Sequence, residues 1–290
     1  MSIPTKHALY TQHSRTWAQN RFVYPVVSRR SGGLSLGINL NPDKVCNFDC
    51  VYCSVDRKQP GTGREVDLNA IELELAGLLD AVSSGTFWNE PSFDTTPASL
   101  RRLNDVAFSG DGEPTSCARF PDACTLVASM LDRRALSTDT RIVLITNATL
   151  LHRPAVQEAL RLLDGFNGEI WAKLDAGTQA YFQVVERSSV PLSRVLDNIR
   201  ETGKGRPIVI QSLFMTLHDR GPDDAEIGAY VNRLRELVSG GCEIKRVQVY
   251  TVARQTAEPW VGALPDERID DIARRVRETG LQVCTYYGPQ

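Results

Sequence analysis

The chain has 290 residues, is 42% hydrophobic and carries a net charge of −2 at pH 7. Those values suit one large α/β domain or two smaller ones. They exclude a fibre, a disordered chain and a dedicated, strongly basic nucleic-acid binder. No segment reaches the ~20 consecutive apolar residues of a membrane span, and the opening MSIPTKHALYTQHSRTW lacks the apolar core of a signal peptide. The expected location is the cytoplasm, where seven cysteines, an odd number, read as thiols, metal ligands or catalysts rather than a disulfide framework.

Residues 1–32 read as an N-terminal extension packing on a core of residues 33–290, with Ser28–Arg30 as a solvated turn rather than a basic patch. Gly33–Leu40 predicts a strand, its leucines and isoleucine at period two. Leu68–Val82 predicts a helix from the spacing of Ile71, Leu75, Leu78, Leu79 and Val82. Further strands are expected at Asp105–Ser109, Arg141–Thr146, Gly168–Asp175, Pro207–Phe214 and Ile244–Val252, with a short last one in Leu281–Tyr287. Between them, helices are expected from Phe120 to about Leu136, after Pro154, and at Leu192–Thr202, Ala225–Val238 and Asp266–Thr279. Such alternation implies βαβ units and a parallel sheet. It fits a full or partial (β/α) barrel better than a doubly wound sheet, because chemistry in barrels gathers at the C-terminal rim. Strand after strand here turns polar at that end: Ser109, Thr146 and Asn147, Lys173 and Asp175, Gln211 and Ser212, Tyr250 and Thr251. Loops facing water give polar strand ends too, but five in a row favour a shared site.

The first strand runs directly into NPDKVCNFDCVYCSVDR, which places Cys46, Cys50 and Cys53 within eight residues. Its asparagines, aspartates and proline make it a loop able to curl its sulfurs toward one centre. Structural zinc prefers four ligands, and the loop holds no histidine and no second cysteine pair. An electron-transfer iron–sulfur centre normally has four cysteines. A third reading, beside those two, is a 4Fe–4S cluster on three thiolates, with one iron open to a substrate.

Cys46-x3-Cys50-x2-Cys53 resembles the signature of the radical S-adenosylmethionine (SAM) superfamily. The flanking GINLNPDKVCNFDCVYCSVDR and the later FSGDGEPT look like the branch that includes the wyosine-base tRNA-modifying enzymes. The resemblance spans about Ser28 to Tyr250 and implies a partial (β/α)6 TIM-like barrel. It further implies one 4Fe–4S cluster on Cys46, Cys50 and Cys53, SAM chelated to the open iron, and a reducing partner such as flavodoxin or ferredoxin. Reductive cleavage of SAM would then give a 5′-deoxyadenosyl radical that takes hydrogen from a substrate.

Tyr52 matches the position that meets adenine, with plain packing as the alternative. Ser109, Gly110, Asp111, Gly112, Glu113 and the residues up to Thr115 resemble the Gly-Gly-Glu element that accepts hydrogen bonds from SAM's ammonium, with Asp111 inserted. An ordinary turn is the alternative there. Thr146 and Asn147 resemble a strand-end SAM contact. Lys173 and Asp175, at i and i+2 on one strand face, reach either ribose or the SAM carboxylate, or form a buried ion pair that props the barrel. Gln211 and Ser212 are candidates for ribose or adenine; Tyr250, Thr251 and Arg254 are candidates for the substrate.

Cys117 and Cys124 fall on one face if their stretch is helical, and Cys242 and Cys284 lie beside or inside strands; none suggests a second cluster. His7, His13, His152 and His218 show no ligand spacing. The absence of cysteine before Cys46 and the lack of basic charge count against the wyosine reaction itself. No cysteine-rich extension of the peptide-maturing kind follows the last predicted strand. The substrate expectation is therefore a nucleoside, tRNA or small metabolite. The alternatives are an activase that takes hydrogen from a partner protein's glycine, and a non-enzymatic iron–sulfur or zinc protein.

Overall fold

The computed structural model describes Trp17 and residues 19–288, so His7 and His13 lie outside the described residues. The chain divides into two compact units. The first comprises the segment up to Cys46, Arg57–Ile145 and Pro154–Glu169; the second comprises Asn47–Asp56, Thr146–Arg153 and the chain from Ile170 onward.

In the first unit β1 (Val23–Ser28) pairs antiparallel with β2 (Gly33–Ile38), β2 parallel with β3 (Leu103–Phe108), and β3 parallel with β4 (Arg141–Thr146). Every residue of β2 is buried, as a parallel strand covered on both faces must be. Helix α1 (Leu68–Ser83) starts where Asp67 accepts the free N–H groups of Asn69 and Ala70. It buries Ile71, Leu75, Leu78 and Leu79, the residues whose period predicted it. Helix α2 (Phe120–Arg133) sets Phe120 edge-on to Phe108, with ring centroids 5.5 Å apart, and α3 (Pro154–Asp164) follows the loop after β4.

In the second unit β5 (Gly168–Lys173) pairs parallel with β6 (Ile208–Leu217), β6 with β7 (Ile244–Thr251), and β7 with β9 (Val283–Tyr286). A short β8 (Val261–Ala263) runs antiparallel to β6. The helices are α4 (Gln179–Glu186), α5 (Leu192–Gly203), α6 (Asp224–Ser239) and α7 (Asp266–Arg277). Lys173, Gln211, Gln248 and Cys284 are paired in register from strand to strand, so they share one face of this sheet. Asp175, Leu213, Tyr250 and Tyr286 lie two residues further along and carry that face to the strands' C-terminal ends.

Three elements are absent from the sequence prediction. β1 contains Pro25, which argues against a strand except at a position such as this one, where β1 pairs with β2 alone. α4 spans only eight residues and carries Val184-Val185 in its last turn, too short and too β-branched for a helical period to show. β8 has three residues. One placement is corrected. Cys117 does not share a helix face with Cys124, because a 3-10 turn (Pro114–Ser116) ends there and α2 begins only at Phe120. Among the described residues no helix is long and apolar enough to cross a membrane.

Candidate functional site

In the first unit, the loop leaving β2 and the turn leaving β3 lie against each other. Asn39 donates its amide to Asp111 Oδ2 (2.7 Å), and the Asp111 N–H donates to Asn39 Oδ1 (3.1 Å). The Asn41 amide reaches Ser116 Oγ at 3.1 Å. The turn's glycines are required by this contact. A Cβ on Gly110 would stand 2.4 Å from Asn39 Oδ1, and one on Gly112 would stand 2.2 Å from the Val45 carbonyl oxygen, one residue before Cys46. Glycine therefore serves here to let one loop lie flat on the other. Glu113 is buried, and its Oε1 accepts both the N–H and the hydroxyl of Thr115 (3.2 and 2.5 Å), capping the turn Pro114–Ser116. The Ser109 hydroxyl meets Tyr24 OH at 3.0 Å. Arg57 donates to the carbonyls of Lys44 and Asp111, which braces the loop ahead of Cys46.

In the second unit, the segment that carries Cys50 and Cys53 is pinned to α4. The Asp49 and Val51 N–H groups donate to the carbonyls of Glu186 and Val185 (3.1 and 2.9 Å). Phe48 packs edge-on to Phe182, and Val51 enters an apolar cluster with Val185, Leu213, Met215, Tyr250 and Val261. The Cys53 carbonyl accepts the Ala257 N–H at 2.7 Å. Behind this segment, Asn147 donates to Asn47 Oδ1 (2.8 Å), and Asn47 donates to Thr149 Oγ1 (2.7 Å), so Asn147 holds the cysteine loop. Thr146 caps its own turn by accepting the Ala148 N–H.

A charged group sits on the polar sheet face. Lys173 Nζ lies 3.1 Å from Asp175 Oδ2 and donates to Tyr250 OH at 3.0 Å. Its ammonium is 4.8 Å from the centre of the Tyr52 ring. Tyr52 OH donates to Asp175 Oδ2 (2.5 Å), and the Leu213 N–H donates to Oδ1 (2.7 Å). Cys50 turns its thiol onto Glu186 Oε2 at 2.6 Å. The ion pair that was one of the two alternatives for Lys173 and Asp175 is present, and Tyr52 is joined to it. Burial works against the Lys173 ammonium, yet Asp175, with Tyr250 and Glu186, holds its pKa above the ordinary lysine range. Burial, reinforced by Asp175, pushes the Glu186 carboxyl well above the ordinary carboxylate range, with Lys173 and the Cys50 thiol pulling back in part. Burial and Glu186 raise the Cys50 thiol, and burial and Asp175 raise the Tyr52 phenol. Sequence reasoning missed Glu186, because it ends the unpredicted α4.

Among the described residues of this unit, Gln211 Oε1, Gln248 Nε2 and Tyr181 OH are buried without a hydrogen-bond partner. The two glutamines bond each other (Gln211 Nε2 to Gln248 Oε1, 2.8 Å), which leaves one acceptor and one donor over. Gln248 was not singled out by the sequence; its register with Gln211 is what identifies it. The three loop cysteines are half-buried, as are Cys117 and Cys284, whereas Cys124 and Cys242 are buried. Among the described residues no three His, Cys, Asp or Glu side chains already converge as a metal site.

No family model matches the chain. It is 23% identical over 274 residues to the GTPase Obg of Brachyspira hyodysenteriae, covering 92% of this chain and 35% of that one. It is 25% identical over 238 residues to a UPF0026 protein of Helicobacter pylori, covering 80% and 66%. The chain therefore spans between about a third and two thirds of the length of these curated relatives. Among solved structures, a radical SAM methyltransferase from Sphaerobacter thermophilus superposes with a TM-score of 0.61 at 15% identity, over 91% of this chain and 69% of that one. TYW1 with a lysine–pyruvate adduct bound superposes with a TM-score of 0.51 at 14% identity, over 86% and 74%. These likenesses show the fold. The chain has the α/β partial barrel of the radical SAM proteins, as the resemblance of its motifs implied.

Proposed function

We propose that this chain is a radical SAM enzyme, with Cys46, Cys50 and Cys53 as the ligands of one 4Fe–4S cluster and SAM as the nucleotide beside it. The observation that carries the reading is the joining of Tyr52, inside the Cys-x3-Cys-x2-Cys loop, to the buried Lys173–Asp175 pair at the strand ends. The residues present suit both groups. Three thiols in one loop are a donor set for iron with a position to spare. The unpartnered acceptor of Gln211 and donor of Gln248 complement the polar edge of a nucleobase and share the sheet face of Lys173 and Asp175. Buried polar atoms are rarely left unmatched unless a ligand or water completes them.

When bound, these groups supply one-electron cleavage of SAM to methionine and a 5′-deoxyadenosyl radical that takes a hydrogen atom from the substrate. The chain's own residues prepare the place. Cys50, whose thiol donates to Glu186, would have to lose that proton to serve as a ligand, since only a thiolate ligates metal. Lys173 keeps its charge and offers it to a carboxylate, while Asp175 fixes Tyr52 and the Leu213 backbone. Val51, Val185 and Met215 exclude water beside the loop. In the first unit Asn39 and Asp111 hold the Gly110–Glu113 turn, the stretch that resembles the superfamily's ammonium-binding element.

The test is anaerobic reconstitution with iron and sulfide, reduction, and addition of SAM. The expected result is an iron–sulfur paramagnetic signal that changes with SAM, followed by release of 5′-deoxyadenosine. A reconstituted, reduced protein with an unchanged spectrum and no 5′-deoxyadenosine overturns the reading.

A further inference from the structure

A cavity in the second unit remains unassigned by the function above. It opens between the loop after β4 and the start of α5, and its volume is about 380 Å³. Its wall is formed by Thr149, His152, Arg153, Ser189, Pro191 and Arg194 together with Leu150 and Val190, so it carries two arginines and a histidine and no carboxylate. The side chains of Arg153 and Arg194 make no hydrogen bond or ion pair among the described residues. That sets them apart from Arg200, Arg233, Arg268, Arg274 and Arg275 on the same unit, each held by a carboxylate. An arginine has five N–H donors in a planar fork that fits phosphate oxygens two at a time.

The frame of the cavity is rigid. Asn198, on α5, donates its amide to the carbonyls of Ala148 and Thr149 (2.8 and 2.9 Å), which ties one wall to the other. Arg194 lies in the first turn of α5, at the positive end of the helix. The cavity also adjoins the cysteine loop: Thr149 in its wall accepts the Asn47 amide, and Ser188, beside Ser189, donates to the Asn47 carbonyl (3.4 Å).

We propose that this cavity binds the phosphate of a phosphomonoester, and that the hydrogen donor of the radical reaction is a phosphorylated small molecule of nucleotide size. The volume lies at the low end of the roughly 300–1,000 Å³ of small-molecule sites, enough for one such ligand. The proposal rests on the radical SAM reading for its link to catalysis, but not for the binding itself. SAM carries no phosphate, so it is not the ligand meant.

The experiment is a calorimetric titration of the reconstituted protein with adenosine monophosphate, with adenosine, and with inorganic phosphate as competitor. Wild type, Arg153→Gln and Arg194→Gln are compared. The monophosphate is expected to bind, phosphate to displace it, adenosine to bind at least tenfold more weakly, and each variant to lose at least tenfold in affinity. Both arginines are exposed and unpaired, so unchanged melting temperatures are expected to certify the fold. Equal binding of adenosine, unchanged affinity in both variants, or no binding of the monophosphate overturns the proposal. Formation of 5′-deoxyadenosine without substrate is followed in the same samples. If it survives while phosphate binding fails, only this proposal falls. If wild type forms none, the catalytic reading falls and the titration still decides the cavity.

Discussion

Two buried aspartates mark two different kinds of polar cluster in this molecule. Asp105, in β3 of the first unit, accepts from the hydroxyls of Ser31 and Ser35 and faces Arg141 at 3.6 Å. Asn104, next to it, donates to the Ser31 carbonyl, as does Arg141. Asp175, just past β5 in the second unit, faces Lys173 at 3.1 Å, Tyr52 and the Leu213 N–H. Around Asp105 no buried side-chain donor or acceptor is left unmatched among the described residues; on the sheet face of Asp175, the Gln211 and Gln248 amides each have one left over. Burial and charge alone do not separate a structural cluster from a ligand site. Unfinished hydrogen bonding does distinguish them: it is present on the sheet face of Asp175 and absent around Asp105 among the described residues.

The sharpest break of this comparison is removal of the loop's thiols. Replacing Cys46, Cys50 or Cys53 by Ala is expected to abolish 5′-deoxyadenosine formation and to deplete iron after reconstitution, while Cys117→Ala, outside that loop, leaves both unchanged. Iron and sulfide analysis with a product assay checks it; equal losses from Cys117→Ala would sink the ligand assignment.

Next comes removal of each aspartate's cation. Lys173→Met leaves Asp175, with a side chain 0% exposed, as an uncompensated buried charge. Such a change costs about 3–5 kcal/mol. Arg141 is more distant and is 23% exposed, and the Ser31 and Ser35 hydroxyls still serve Asp105, so Arg141→Met is expected to cost about 1–2 kcal/mol. Urea unfolding of the apo-proteins measures both, and equal costs would erase the distinction. The double change Lys173→Met with Asp175→Asn should regain part of the loss, as expected of a true pair.

A smaller effect separates ligand-directed polarity from structural polarity. Replacing Gln211 and Gln248 together by Leu removes the unmatched acceptor and donor along with their mutual bond. Apo stability is expected to hold or rise, because apolar groups of similar shape replace a poorly satisfied pair. SAM affinity should fall about tenfold, the equivalent of roughly 1.4 kcal/mol. Opposed changes in stability and binding are the mark of a site. A parallel loss of both would make the glutamines ordinary core.

The motif-bearing half of the proposed site was visible in the sequence as candidates, and the supporting half was not. The loop cysteines stood out by spacing, Tyr52 by the family resemblance, Lys173 and Asp175 by their i, i+2 placement, and their strands by apolar runs ending in polar residues. The strand at Arg141–Thr146 stands where its pattern put it. Glu186 and the anchoring of the cysteine loop on α4 were invisible, since eight residues with paired valines give no helical period. Gln248 was hidden because a buried glutamine gains its meaning only from the strand beside it, and register is a property of pairing rather than of one strand. The glycines of the Gly110–Glu113 turn were visible, but the reason for them was not: they make room for Asn39, Asn41 and the Val45 carbonyl, a contact between segments about seventy residues apart.

The smallest effect concerns pH and falls on the structural aspartate. Burial raises the Asp105 carboxyl above its ordinary 3.8, with the bonds from Ser31 and Ser35 and the charge of Arg141 pulling back only in part. The folded state therefore holds this proton more tightly than the unfolded chain does. Its contribution to stability is full below the unfolded pKa of about 3.9 and is lost as pH rises through the folded value. Asp105→Asn keeps the shape and removes the titration. The stability of wild type relative to this variant should then decline as pH is raised from about 3.5 and level off beyond the folded pKa, in urea unfolding at a series of pH values. A difference that grows with pH instead would mean that Arg141 holds Asp105 ionised against burial, and the two aspartates would then differ in their neighbours' unmatched bonds alone.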